Sequence, residues 1–116
     1  MRRIARKFQH ALAGLYFTLL HDRGIQILLA CATIGLGGLY YFFGPFSDLG
    51  NFVLITSFFL VLITELQNSS TEAALDALHP EHHEGVGRSK DIAAASVLCA
   101  AAFSLVCAYF VVTGKI

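Results

Sequence analysis

Charge is what this sequence holds least of. Only 14% of its 116 residues are Asp, Glu, Lys or Arg, where an ordinary soluble domain carries about 25%. None falls between Gly24 and Ser47, between Leu49 and Thr64, or between Ile92 and Gly114. With 56% hydrophobic residues, ten Phe and no Trp, and a mean hydropathy of +0.66, the chain is excluded from the soluble class and reads as one integral membrane domain, residues 1–116. Its formal net charge is zero, which leaves no case for nucleic acid as a partner. Cysteine is scarce too. Cys31, Cys99 and Cys107 lie inside apolar runs without metal-ligand spacing, so they are expected to serve as small hydrophobes rather than as ligands.

Several chemistries are missing altogether. Gly85-Val86-Gly87-Arg88-Ser89-Lys90 superficially suggests a phosphate loop but lacks the G-x-x-x-x-G-K-[ST] spacing. There is no nucleophile elbow, no soluble-kinase signature and no internal repeat. His79, His82 and His83, with Glu81 and Glu84, fit neither His-Glu-x-x-His nor a paired Cys/His pattern, so structural or nucleotide contact is expected there rather than zinc. Met1-Arg2-Arg3 opens like a signal peptide, but His10, His21, Asp22 and Arg23 interrupt the residues after it, and none is expected.

The residues present divide into five stretches. In residues 1–21, Ile4, Phe8, Ala11, Leu12, Leu15 and Leu19 recur at helical spacing while Arg2, Arg3, Arg6 and Lys7 crowd the first turns. That is the pattern of an amphipathic helix lying in the membrane interface. Residues 25–46 form a first span, with Gly35, Gly37 and Gly38 offering a smooth face to a neighbour and Tyr40-Tyr41 suited to the far interface. Gly44-Pro45-Phe46-Ser47-Asp48 is a turn. A second span covers 51–78, a polar loop 79–88, and a third span 89–113, whose many alanines favour close helix contact. The architecture is therefore all-α. Arg2, Arg3, Arg6, Lys7, Arg23, Arg88 and Lys90 fall on one side and only Lys115 on the other, so the N-terminus and the loop are expected in the cytoplasm.

The end of the second span carries the chemistry. At about 100° per residue, Glu65, Asn68, Glu72 and Asp76 lie within an arc of roughly 80° and extend about 16 Å along one face. Glu65 is about 21 Å from Asn51 along the helix, past the middle of a hydrocarbon core about 30 Å thick. Carboxylates are costly there, so the stripe reads as a site for cations, protons or a polar head group; the plainer alternative is a helix end emerging into water. With Asp22 at the start of the first span, the oxygen donors suit Mg²⁺, which takes one or two carboxylates plus phosphates. A remaining carboxylate is free to act as general base, and Lys90 offsets phosphate charge. These are the requirements of phosphoryl transfer.

Glu65-Leu66-Gln67-Asn68-Ser69-Ser70-Thr71-Glu72-Ala73-Ala74-Leu75-Asp76, then Glu81-His82-His83-Glu84 and Gly87-Arg88-Ser89-Lys90-Asp91, resemble the bacterial diacylglycerol kinase family, whose pattern is approximately E-x-x-N-[ST]-x-x-E-x-x-x-D, then H, then A-K-D. The resemblance implies a homotrimeric lipid kinase of the bacterial inner membrane, with an amphipathic surface helix, three transmembrane helices per subunit and active sites shared between subunits. ATP would be the co-substrate. It further implies Glu65 as the base on the lipid hydroxyl and Asp22 with Glu72 as Mg²⁺ ligands. The nucleotide would contact these two and Asn68, Asp76, Glu81, His82, His83, Lys90 and Asp91, with Arg3 and His10 from the N-terminal helix. The lipid would lie against Arg3, Tyr16, Gln26, Glu65 and Ala94.

The chain departs from the family at Asp22, usually Glu; at Ile25 and Gln26, usually an aromatic residue and Arg; and at Gly85-Val86. The expected acceptor is diacylglycerol, giving phosphatidic acid, with undecaprenol as the related alternative. Two other classes remain open: a small subunit handling protons or cations, and a non-catalytic membrane scaffold.

Overall fold

A computed structural model describes residues 1–116 as four helices: α1 (Arg2–His21), α2 (Arg23–Phe43), α3 (Asp48–Leu78) and α4 (Glu84–Val112). The last three are long and apolar enough to cross a membrane. Their surfaces agree with that role. Ile34 and Phe42 are each 75% exposed, and Leu98 and Leu105 nearly as much. Water would penalise each by about 1.5–3 kcal/mol relative to burial, whereas lipid tails or a neighbouring protein surface would not.

Local chemistry sets the helix starts. Asp22 caps α2 by accepting the Ile25 N–H at 3.2 Å, Ser47 caps α3 by accepting the Gly50 N–H at 3.0 Å, and the His83 ring nitrogen accepts the Gly85 N–H at 3.0 Å to open α4. Such caps satisfy backbone donors that have no partner inside the helix. The third span therefore begins at Glu84, five residues ahead of the predicted Ser89. The His83 cap and the Arg88–Glu84 ion pair at 3.2 Å, one turn apart, draw those loop residues into the helix. The predicted turn after the first span lies between Phe43 and Asp48, tied across by the Tyr40 hydroxyl, which donates to Asn51 Oδ1.

α3 and α4 form an antiparallel hairpin that holds nearly all the buried residues. Leu54, Ser57, Val61 and Asn68 of α3 face Ala100, Cys107 and Val111 of α4. Steps of three, four and seven residues keep one narrow stripe of each helix against the other. Small side chains let the backbones approach. Gly50 sits against Val111, and Ser57 Oγ, which donates to Leu54 O at 2.9 Å, lies 3.3 Å from Ser104 Oγ.

The other two helices are held far more lightly. α2 leans on α3 and leaves an apolar cleft of about 510 Å³ between Leu28, Leu36, Leu54, Phe58, Ala101 and Leu105. α1 contributes no buried residue at all, and Ile4, Phe8, Leu12 and Leu15 are exposed along it. Asp22 is the one residue separating α1 from α2.

Candidate active site where α2 meets the carboxylate stripe

Glu65 sits one helical turn beyond Val61, the last strongly apolar seam residue of α3. Its carboxylate reaches across to the first turn of α2 and lies against Gly24, where a Cβ would collide with Glu65 Oε1 and stand 3.2 Å from Asp22 Oδ1. Gly24 leaves room for this close approach and does not adopt an unusual backbone conformation. The contact brings Asp22, the α2 cap, to the stripe. Glu72 follows Glu65 by two turns on the same face of α3. Like charges brought as close as those of Asp22 and Glu65 repel one another, so the arrangement favours a cation or a shared proton.

Asn68 lies between Glu65 and Glu72 on the same face. It is 9% exposed, and its Nδ2 donates to Glu72 Oε1 at 3.4 Å. Its Oδ1 has no hydrogen-bond partner. A buried carbonyl oxygen of this kind costs about 1–3 kcal/mol unless something donates to it or coordinates it, and native structures hold few of them. No three His, Cys, Asp or Glu side chains converge closely enough to enclose a bare ion. The donor set does fit Mg²⁺, a hard cation that keeps several waters and needs only one or two carboxylates beside phosphate oxygens. Asp22 and Glu72 would hold it, and the free Asn68 oxygen points to a missing donor or cation at the same place.

A second cluster lies one to two turns further along α3. Lys90 Nζ of α4 pairs with Asp76 Oδ1 at 2.5 Å. The pair borders a polar cleft of about 310 Å³ whose walls include His79, Glu81, His82, His83 and Gly87. His79 Nδ1 is 3.6 Å from Glu81 Oε1, too far for a hydrogen bond, and the His79 and His83 rings are 5.1 Å apart. Lysine, imidazoles and exposed backbone around a cleft of this size can receive a phosphorylated ligand. The predicted residues Asp76, Glu81, His82, His83 and Lys90 thus gather in one place, while Asp22, Glu65, Asn68 and Glu72 gather in the other.

Six predicted residues lie outside both clusters within one chain. Arg3 and His10 are exposed on α1, about 28 Å and 18 Å along the helix from Asp22 at 1.5 Å per residue. Tyr16 is exposed on the same helix. Asp91 and Ala94 are exposed on the first half of α4. Gln26 is near the site but turned away from it: Nε2 donates to Leu19 O at 3.1 Å and to Leu20 O at 3.0 Å. Sequence reasoning overlooked Gly24, whose one visible signal is a glycine two positions after an acidic helix cap. It also overlooked the Ser57–Ser104 contact, which joins residues 47 apart.

Comparison with known proteins places the chain in a family. The sequence model of the family described as prokaryotic diacylglycerol kinase matches residues 9–112. Diacylglycerol kinase of Escherichia coli (strain K12) is 48% identical over 48 residues, 41% of this chain and 39% of that protein. Diacylglycerol kinase of Haemophilus influenzae is 37% identical over 75 residues, 65% of this chain and 60% of that protein. The chain therefore spans between two fifths and three fifths of the length of these relatives.

Proposed function

Since this chain belongs to the prokaryotic diacylglycerol kinase family, we propose that it transfers the γ-phosphoryl group of ATP to the primary hydroxyl of diacylglycerol, forming phosphatidic acid and ADP. The observation that carries this reading is the packing of Glu65 against Gly24. It supports the reading because it sets the proposed base beside Asp22, with Asn68 and its unpartnered amide oxygen one turn further along the same face.

In this reading Glu65 accepts the proton of the lipid hydroxyl as its oxygen bonds to the γ-phosphorus and the bond to the β-phosphate bridging oxygen breaks. Mg²⁺, when bound, would supply positive charge against the phosphates. Asp22 and Glu72 would hold it from two helices, and Asn68 supports Glu72 through its amide. Lys90, released from Asp76 or shared with it, meets the phosphates. Glu81, His82 and His83 contact the rest of the nucleotide, and Asp91, which lies outside their cluster, does so from a neighbouring copy.

Arg3, His10, Tyr16 and Ala94 do not reach these clusters within one chain, so their contacts to nucleotide or lipid come from neighbouring copies in a homotrimer with shared sites. α1 lies in the cytoplasmic face of the inner membrane with Arg2, Arg3, Arg6 and Lys7 toward anionic head groups. The lipid hydroxyl reaches Glu65 from the bilayer, and ATP arrives from the cytosol.

The test is radiolabelled phosphate transfer from ATP into extractable lipid by the purified protein in bilayers, with diacylglycerol and undecaprenol offered separately. Label in phosphatidic acid is expected. Label in undecaprenyl phosphate alone would move the acceptor, and transfer to neither would end the kinase reading.

A further inference from the structure

The last turn of a helix leaves four carbonyl oxygens without intrahelical donors. In α1 these are the carbonyls of Thr18, Leu19, Leu20 and His21. The Asp22 N–H donates to Thr18 O at 2.9 Å, and Gln26 Nε2 reaches back from the first turn of α2 to Leu19 O at 3.1 Å and Leu20 O at 3.0 Å. Three of the four are satisfied, two of them by one side chain on the next helix. The orientation of the amide is forced, because the reversed form would set its oxygen against two other acceptors. Gln26 is also joined to the connection through its own backbone, whose N–H donates to Asp22 O at 3.1 Å.

Within one chain no core holds α1 in place, since none of its residues is buried. The chain's own control over the angle between α1 and α2 therefore lies at the one-residue connection. We infer that Gln26 is a positioning residue: its amide clamps the C-terminal carbonyls of α1 to α2 and so sets where α1 lies over the lipid hydroxyl that Glu65 deprotonates. The inference rests on the lipid-kinase reading for its kinetic consequence but not for its structural one. Asp22 belongs to the same connection, as cap of α2 and as candidate metal ligand, so the clamp orients α1 from the residue that anchors the catalytic end of α2.

The experiment pairs kinetics with amide hydrogen exchange on the full chain in lipid nanodiscs. Gln26→Glu keeps the shape but turns both donors into acceptors facing carbonyl oxygens. Gln26→Met keeps the length with no donor. Gln26→Arg restores N–H donors in a planar fork able to meet two acceptors. Two hydrogen bonds of about 0.5–1.5 kcal/mol each set the expected size: exchange at the Leu19–Arg23 amides faster by about tenfold or more in Gln26→Met and Gln26→Glu. The KM for diacylglycerol is expected to rise several-fold while the KM for ATP stays level, with Gln26→Arg recovering both exchange and KM.

Unchanged exchange in both Gln26→Met and Gln26→Glu would overturn the clamp, whatever the kinetics. Faster exchange with an unmoved lipid KM would overturn its hold on substrate. Failure of Gln26→Arg to recover exchange would show that donation to the carbonyls is not what Gln26 supplies. Wild-type protein inert toward every lipid would sink the kinase reading instead, with the exchange comparison still deciding whether Gln26 holds α1.

Discussion

The α3–α4 hairpin and the α1–α2 arm are built on opposite principles. The hairpin is a seam of small and medium apolar residues with every helix start capped and a serine pair at its centre. The arm has one fully buried residue, Ile25, and meets the hairpin through polar side chains near the two ends of α2, Glu65 against Gly24 and Tyr40 on Asn51. Helices in lipid gain little from hydrophobic burial and depend on close packing and interhelical hydrogen bonds, so the hairpin is the frame and the arm is the part free to respond to a ligand. The candidate active site lies where the two meet. Frame residues Glu65, Asn68 and Glu72 supply most of the donors, and the arm supplies Asp22 and the space left by Gly24.

The contrast can be broken at four points. The largest effect is expected from the frame's own base: Glu65→Gln should lower turnover by about 10²–10⁴-fold, the usual contribution of a positioned general base, with the helical circular dichroism unchanged. Initial rates near wild type would remove Glu65 from that role. Next comes the arm's contribution of empty space. Gly24→Ala places a methyl where Glu65 Oε1 now sits, and a displacement of about 1 Å at the reacting group can reduce rate by about 10²-fold. If kcat holds in Gly24→Ala, the arm does not dock on Glu65 as described.

A smaller effect should come from Glu72→Gln. Loss of one carboxylate from the metal set should raise the Mg²⁺ concentration for half-maximal rate by about tenfold, the equivalent of one charge-assisted contact. A magnesium titration with an unmoved midpoint would exclude Glu72 as a ligand. The smallest should come from the centre of the frame. Ser104→Ala removes the partner of Ser57 Oγ, and interhelical hydrogen bonds in membrane proteins average about 0.6 kcal/mol. Thermal or denaturant unfolding in detergent should therefore shift only slightly while kcat is retained. A large loss of activity there would mean that the hairpin is not the inert frame described.

Some of this was readable from residues alone. Three charge-free runs announced the spans, and α2, α3 and α4 occupy them. The spacing of Glu65, Asn68, Glu72 and Asp76 announced one polar face, and Asn68 and Glu72 are in contact along it. The beginning of α4 was harder to read because His83 and Glu84 are polar residues in a polar stretch, and only their capping and pairing make them helical. Gln26 was harder still. The family resemblance implied a lipid contact for it, and the residue pattern gave no sign that its amide donates to the helix before it, an interaction that depends on the bend at Asp22.

Composition and periodicity determined which segments enter the membrane and which face of α3 carries carboxylates, because transfer free energy adds along the chain and a helix advances about 100° per residue whatever its neighbours do. Tertiary structure alone decided that Gly24 receives Glu65, that Lys90 finds Asp76, and that Gln26 closes the end of α1. Those pairings depend on how the helices rotate and cross, and that is set by the shapes meeting along the α3–α4 seam and at the bend before α2, which hydropathy does not encode.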